Sequence, residues 1–369
     1  MLHPFDDHPL HQTAEPFSHP ASPSADVYDR FFFNGYDRSG EVFFAFALGV
    51  YPNRGVMDAA FSVVRDGVQH NVRGSRACPD DRTVTTVGPL RVEIVEPMRR
   101  HRVTVADDHG VRADLTMTAI SPAIEEPRFT YRAGTRVVFD YTRLTQFGRW
   151  EGWIDVDGDR IELDALGPVV GTRDRSWGIR PVGDRPGGPP SLPQFFWLWA
   201  PTVFDDACTH MAVNHESDGR AWHQSGAVVP RIGDDDPVLD PGRVQRGTDV
   251  DVDPDWRPGT RWLDRISVRV GMWGGEPLEV AYEPFLHFQM SGIGYMHPEW
   301  GLGRWIGPDV STRDSIVLAD VEPGDPLMLH IQALARARWG DREGIGVVEQ
   351  LVVGPHAPSG ITGILDGAP

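Results

Sequence analysis

From Phe31 onward, apolar and polar residues alternate in short runs that end at turn residues, the period-two pattern of half-buried β-strands. "EVFFAFALGVYP" reads as a strand closed by a proline. "AAFSVVRDGVQHNVRGS" reads as two strands around Asp66-Gly67, a strong hairpin signal. The same grammar recurs in "LRVEIVEPMRRHRVTVADDHGVRADLTMTAI", with a turn at His109-Gly110, and in "RWEGWIDVDGDRIELDAL", with a turn at Asp157-Gly158. The alternation stops after Pro181, where the Pro/Gly-dense "VGDRPGGPPSLP" suggests a connection between domains. It resumes in "FFWLWAPTVF", "HMAVNHES", "AWHQSGAVV", "RISVRVGMWGGEPLEVAYEPFLHFQM" and "GVVEQLVVG". "DPLMLHIQALARARW" fits helix and strand equally, and the turn and returning run that follow favour a hairpin. The pattern predicts an all-β, antiparallel protein of consecutive barrels or sandwiches. We divide it into an extended or disordered arm over 1–25, a β domain over 26–185 and a second over 186–369.

The length of 369 residues agrees with two domains. The net charge of −18 removes the basic footprint expected for nucleic acid or an anionic membrane surface. All 35 basic residues are arginine, which excludes Schiff-base and pyridoxal chemistry and the phosphate-binding lysine of a P-loop. Cys78 and Cys208 stand far apart, indicating neither a disulfide framework nor a cysteine zinc site. The N-terminus lacks the basic start and apolar run of a signal peptide, and no stretch approaches the roughly 20 apolar residues of a membrane span. These features suggest a cytoplasmic protein without a membrane span. Oligomeric state is not encoded in them.

No nucleophile elbow, zinc-protease helix, P-loop or dinucleotide fingerprint occurs, so chemistry has to be read from clusters. "GTRDRSWGIRP" places Arg173, Asp174, Arg175 and Trp177 after a strand and before a proline, charges held either at a barrel mouth or in ion pairs that lock a loop. "GYMHPEWGLGRW" brings Tyr295, His297, Glu299 and Trp300 together, either a proton-transfer pair beside aromatic walls or a rigid surface turn. Trp153, Trp197 and Trp199 belong to an aromatic set that is mostly core; those that line a cavity would select an apolar, bulky ligand. His210, His215, His223 and His287 have no ligand spacing, so each is read as a single hydrogen-bonded histidine and no cofactor is expected, with a metal-dependent enzyme using these scattered histidines as a third, weaker reading.

"WEGWIDVDGDRIELDALGPVVGTRDRSWGIRP", followed by a Pro/Gly linker and a second β half, resembles the lipocalin-like superfamily. That superfamily includes carotenoid 1,2-hydratases (hydroxyneurosporene synthases), fungal isoflavonoid hydratases and lipocalin-like Diels–Alderases. Asp174 and Trp177 match its D-x-x-W signature, and Arg175 stands where the hydratases carry a histidine. "GIGYMHPEWGLG" and "GPHAPSGITG" resemble motifs of an actinobacterial branch. The resemblance implies two lipocalin-like β domains with an apolar ligand at or near their interface. It implies cofactor-independent hydration, dehydration, cyclisation or isomerisation of an isoprenoid- or polyketide-like hydrophobic molecule. In that frame Asp174 supplies or orients the acid, and Arg175 orients a carbonyl or carboxylate or pins Asp174. Trp177, Trp197 and Trp199 wall the pocket, while His297 and Glu299 take a second proton-transfer role. A non-catalytic carrier or sensor of an apolar metabolite is the competing expectation. Convergence of buried carboxyl and imidazole groups on the cavity would separate the two, since a carrier gains nothing by desolvating them.

Overall fold

The computed structural model describes residues 2–106, 109–184 and 194–369 and contains two antiparallel, barrel-like sheets. The main path of the first sheet runs Asp309–Val317, Val68–Ala77, Val56–Arg65, Phe43–Tyr51, Val27–Tyr36, Val169–Ile179, Arg136–Val156, Val111–Ala119, Arg100–Val105, Leu90–Glu96 and Thr86–Val87. Ile124–Glu125, Phe129–Ala133 and Asp159–Glu162 also pair with the long strand Arg136–Val156. The second sheet has nine strands and closes on itself, because Ala221–Pro230 pairs with both Ala207–His215 and Gln245–Trp256. The segment that fitted helix and strand equally is the strand Ile331–Trp339, turned back by Gly340-Asp341 into Arg342–Val353.

The predicted turns have a physical basis in the backbone. Asp66-Gly67 and Asp157-Gly158 both take positive φ, as a two-residue hairpin turn twisted with its strands requires. The unbroken apolar runs also have a cause. All nine residues of Phe43–Tyr51 are buried, since Phe44, Phe46 and Leu48 enter the core of the first barrel while Phe43, Ala45 and Ala47 enter a separate apolar layer between the sheets. Phe196 and Leu198 likewise face the core of the second barrel, and Trp197 and Trp199 face that layer. A strand covered on both faces has no polar side to show.

The two halves are interlocked. Asp309–Val317 comes from beyond residue 185, yet it pairs along the whole of Val68–Ala77 and extends the first sheet. Polar side chains on that edge hold the neighbouring turn. Asn71 Nδ2 and Arg73 NH1 donate to the Asp314 carboxylate at 2.7 and 2.5 Å, and Gln69 exchanges hydrogen bonds with the backbone of Gln289. This seats the 3-10 turn Met290–Ile293, which presents Met290 and Tyr295 to the space between the sheets. The proposed linker begins at Val182, Gly183 and Asp184, which are described, with the Gly183 amide donating to the Leu302 carbonyl; its remainder and the boundary at 185 fall in 185–193, outside the described residues. Within the N-terminal arm, Pro4–Asp7 forms a 3-10 turn, and buried His3 lies 3.1 Å from Asp81.

Candidate functional site between the two sheets

Antiparallel register builds the floor of the site from three adjacent strands. Phe32, Asp174 and Thr145 lie in one cross-strand row, Arg30, Ser176 and Arg143 in the next, and Tyr28, Gly178 and Tyr141 in the third. Because strand side chains alternate, all of these share one face, and the intervening residues point the other way into the first barrel. The second half supplies the roof: Trp199 and Glu349 from its strands, Met290 and Tyr295 from the turn region. The enclosed cavity measures about 30 Å³, room for one or two water molecules, and is lined by Phe32, Trp199 and Met290 together with Asp174, Arg143 and other polar groups.

Three carboxyls lie at or beside this space, in two different states. Glu126 is completely enclosed, and burial alone would raise its pKa, but Arg143 overrides that and holds it far below the usual carboxylate range. Arg143 Nε and NH2 donate to the two Glu126 oxygens at 2.7 and 2.6 Å, and Thr145 Oγ1 adds a third bond at 2.7 Å. The guanidinium also lies 4.8, 4.9 and 5.7 Å from the ring centres of Phe129, Trp197 and Trp199. Glu349 is a fixed anion as well. Its burial is outweighed by bonds from His330 Nε2 at 2.8 Å, Gln332 Nε2 at 2.7 Å and Trp197 Nε1 at 3.0 Å, which lower its pKa.

Asp174 is different. It lines the cavity and receives no hydrogen bond from any described residue. Desolvation pushes its carboxyl up to about 7, with Glu126 and Glu349 adding to the rise and Arg143 and Arg30 opposing it. A carboxylic acid that keeps its proton near neutrality therefore faces the cavity, next to carboxylates that do not.

The clusters read from sequence are split by the fold. Asp174, Trp197, Trp199 and Tyr295 come together at this interface. Arg173, Arg175 and Trp177 alternate with Asp174 and point away from it. Arg173 is buried in the first barrel, where its Nε donates to Gln146 at 2.9 Å and its guanidinium is brought down to about 10 by burial and by Arg175. Arg175 stacks 3.8 Å over Phe31 and pairs with Asp29, so that aspartate, and not Asp174, is its partner. Trp177 is 44% exposed. Trp177→Ala is expected to change unfolding free energy by no more than about 0.5 kcal/mol, as for exposed positions away from packed features, which denaturant unfolding would check.

Trp153 lies under Arg160 at 4.0 Å, on the hairpin that turns at Asp157-Gly158. His297, Glu299 and Trp300 form a local turn in which His297 Nδ1 accepts from the Glu299 and Trp300 amides at 3.2 and 3.0 Å. Glu299 itself is exposed, and no hydrogen bond or ion pair between the two side chains is seen among the described residues. His215 and His356 pair at 3.2 Å against Phe196, His223 stacks on Phe129, and His287 packs on Trp262. Among the described residues, no group of three or more His, Cys, Asp or Glu side chains is arranged to hold a metal ion.

Arg143, Glu126, Tyr141, Ser176, Arg180 and Glu349 were not singled out from sequence. The usable signal for Glu349 was a charge inside an apolar run, "GVVEQLVVG". For Arg143 it was the polar alternation of "DYTRLTQ" on a strand paired with the one carrying Asp174.

Two lipocalin-like antiparallel β sheets with a candidate site between them are the fold class of this protein. The chain belongs to the Family of unknown function (DUF8625), whose model matches residues 2–362. Solved structures share the fold. One is an AttH candidate from Nitrosomonas europaea, with 12% identity and a TM-score of 0.53, covering 88% of this chain and 92% of that one. Another is kievitone hydratase from Nectria haematococca, with 12% identity and a TM-score of 0.51, covering 88% of each chain. None of the curated proteins compared matches the sequence. No helix among the described residues is long and apolar enough to cross a membrane.

Proposed function

We propose that the chain is a cofactor-independent enzyme that transfers a proton to a hydrophobic isoprenoid- or polyketide-like small molecule at this interface, in a hydration, dehydration, cyclisation or isomerisation. The observation that carries the reading is Asp174, a cavity-lining acid with a pKa near 7 and no hydrogen bond from the described residues. Kievitone hydratase, a hydratase by name with the same fold, agrees with it. The convergence of Asp174, Glu126, Glu349 and His330 favours catalysis over carriage, because a carrier has no use for carboxyls kept out of water.

In the forward step the Asp174 proton is delivered to an alkene carbon, whose π electrons form the new C–H bond, or to a departing hydroxyl, which leaves as water. Either event creates positive charge on the substrate. The ring faces of Phe32 and Trp199 and the fixed Glu349 carboxylate border the cavity in which that charge develops. Water capture or loss of a neighbouring proton completes the reaction, and the proton released returns to Asp174. The cavity holds only water at its present size, so a substrate enters by displacing side chains.

Two measurements test the reading. Small molecules retained by the purified protein, analysed by mass spectrometry before and after incubation with a lipid and terpenoid extract, should include one that wild type converts and Asp174→Asn binds unchanged. Absence of any conversion would leave only a binding protein. The second is the pH profile. A folded pKa near 7 leaves the acid form dominant below that value, so kcat/KM should fall as pH rises through about 7. A flat profile between about pH 5 and 9 would exclude Asp174 as the acid.

A further inference from the structure

We infer that the substrate carries a single carboxylate, seated on the Arg180 guanidinium, with its apolar body turned toward Phe32, Trp199 and Met290. The inference rests on the cavity being the substrate site, and it adds the chemical class of the molecule that enters.

Three arginines meet at the cavity or its wall, and two have carboxylate partners. Arg143 is held by Glu126, and Arg30 lies 3.5 Å from Asp58 and donates to Tyr51 Oη at 3.1 Å. Arg180, just past the end of Val169–Ile179, lines the cavity and makes no ion pair with any described residue. Its neighbours are phenols: the Tyr28 and Tyr295 rings lie 5.4 and 5.6 Å from it. Its Nε is buried without a partner. Neutral phenols do not cancel a full charge, and an enclosed cation without a counter-ion is costly unless a ligand supplies one.

The guanidinium fork matches the planar geometry of a carboxylate. Its setting also limits the charge of the guest. The same cavity is bordered by the Glu349 carboxylate, with that of Glu126 behind Arg143, and the chain has no lysine, so a diphosphate would set several negative charges against those carboxylates with one unpaired cation to answer them. A monoanion balances Arg180 alone.

The test is calorimetric titration of the full-length protein with 4-phenylbutanoate, its neutral amide 4-phenylbutanamide, and inorganic pyrophosphate. Wild type should bind the acid about ten-fold more tightly than the amide, with pyrophosphate weaker than either. Arg180→Gln should bring acid and amide to near equality, while Asp174→Asn should keep the preference. Repeating the wild-type titration in buffers of different ionisation enthalpy gives a readout independent of any variant's folding. A carboxylate placed in the cavity raises the affinity of Asp174 for its proton, so acid binding near neutral pH should take up protons and amide binding should not. Equal binding of acid and amide, no binding of the acid, a preference that survives Arg180→Gln, tighter binding of pyrophosphate, or acid binding without proton uptake would each overturn the inference. Loss of the acid preference in a protein whose turnover still depends on Asp174 would remove the carboxylate alone. A preserved preference in a protein whose turnover ignores Asp174 would remove only the acid catalyst.

Discussion

Asp174→Asn is expected to lower turnover by about 10²- to 10⁴-fold, the usual contribution of a positioned acid, and to make the protein more stable above neutral pH. Asparagine matches the carboxyl in size and cannot deliver the proton. The stability gain follows from linkage. The folded pKa is near 7 against 3.8 for the solvent-exposed carboxyl of the unfolded chain, so the folded state binds the extra proton between those values. Stability is therefore lost as pH rises from about 4 to 7, and above 7 the desolvated carboxylate exacts its full cost, at most about 4 kcal/mol. The variant escapes that cost. Thermal melts of both proteins should separate most at about pH 8 and converge below about pH 4, where the carboxyl is neutral in both states. A variant that melts lower at high pH would contradict the desolvation argument, and one with unchanged turnover would contradict the role.

Glu126→Gln should produce the opposite kind of damage. Removing that carboxylate leaves Arg143 enclosed among Phe129, Trp197 and Trp199 without a counter-ion, and breaking one side of a buried pair typically costs about 3–5 kcal/mol. The loss should be visible in denaturant unfolding at neutral pH. The charge change also reaches Asp174, whose proton affinity is raised by Glu126 and lowered by Arg143. Without Glu126 the Asp174 pKa should fall, moving the descending limb of the pH profile to lower pH. Arg143→Met should move it the other way. Limbs that stay fixed in both variants would show that the pair is purely structural.

The extent to which the site could be read from sequence follows from how strands expose information. Alternation and turn residues were enough for the β class, the Asp66-Gly67 and Asp157-Gly158 hairpins and the returning pair at Gly340-Asp341, since these depend on neighbours in sequence. "GTRDRSWGIRP" announced a charged strand. Which of its charges face the space between the sheets depends on the parity of one residue, and that is fixed by pairing with Val27–Tyr36 and Arg136–Val156, far away in the chain. Asp174 and its flanking arginines look alike in a string and lie on opposite faces of a sheet. "GYMHPEWGLGRW" was legible as chemistry only by composition; local hydrogen bonds consume His297, leaving Tyr295 as the member that reaches the cavity. Glu349 and Arg143 were hidden for the converse reason, as single charges in otherwise ordinary strands.

The strand Asp309–Val317 also sets a timetable. Asn71 and Arg73 reach across 243 and 241 positions to Asp314, and Gln69 across 220 to Gln289. On the ribosome, the first sheet has its early strands long before the strand that covers the Val68–Ala77 edge has been synthesised. Until then that edge offers unpaired backbone to any neighbouring chain. The turn bearing Met290 and Tyr295 is made in the same late interval. Protection of the edge and assembly of the roof of the candidate site thus wait on the same stretch of chain, and a nascent chain released before it would have neither.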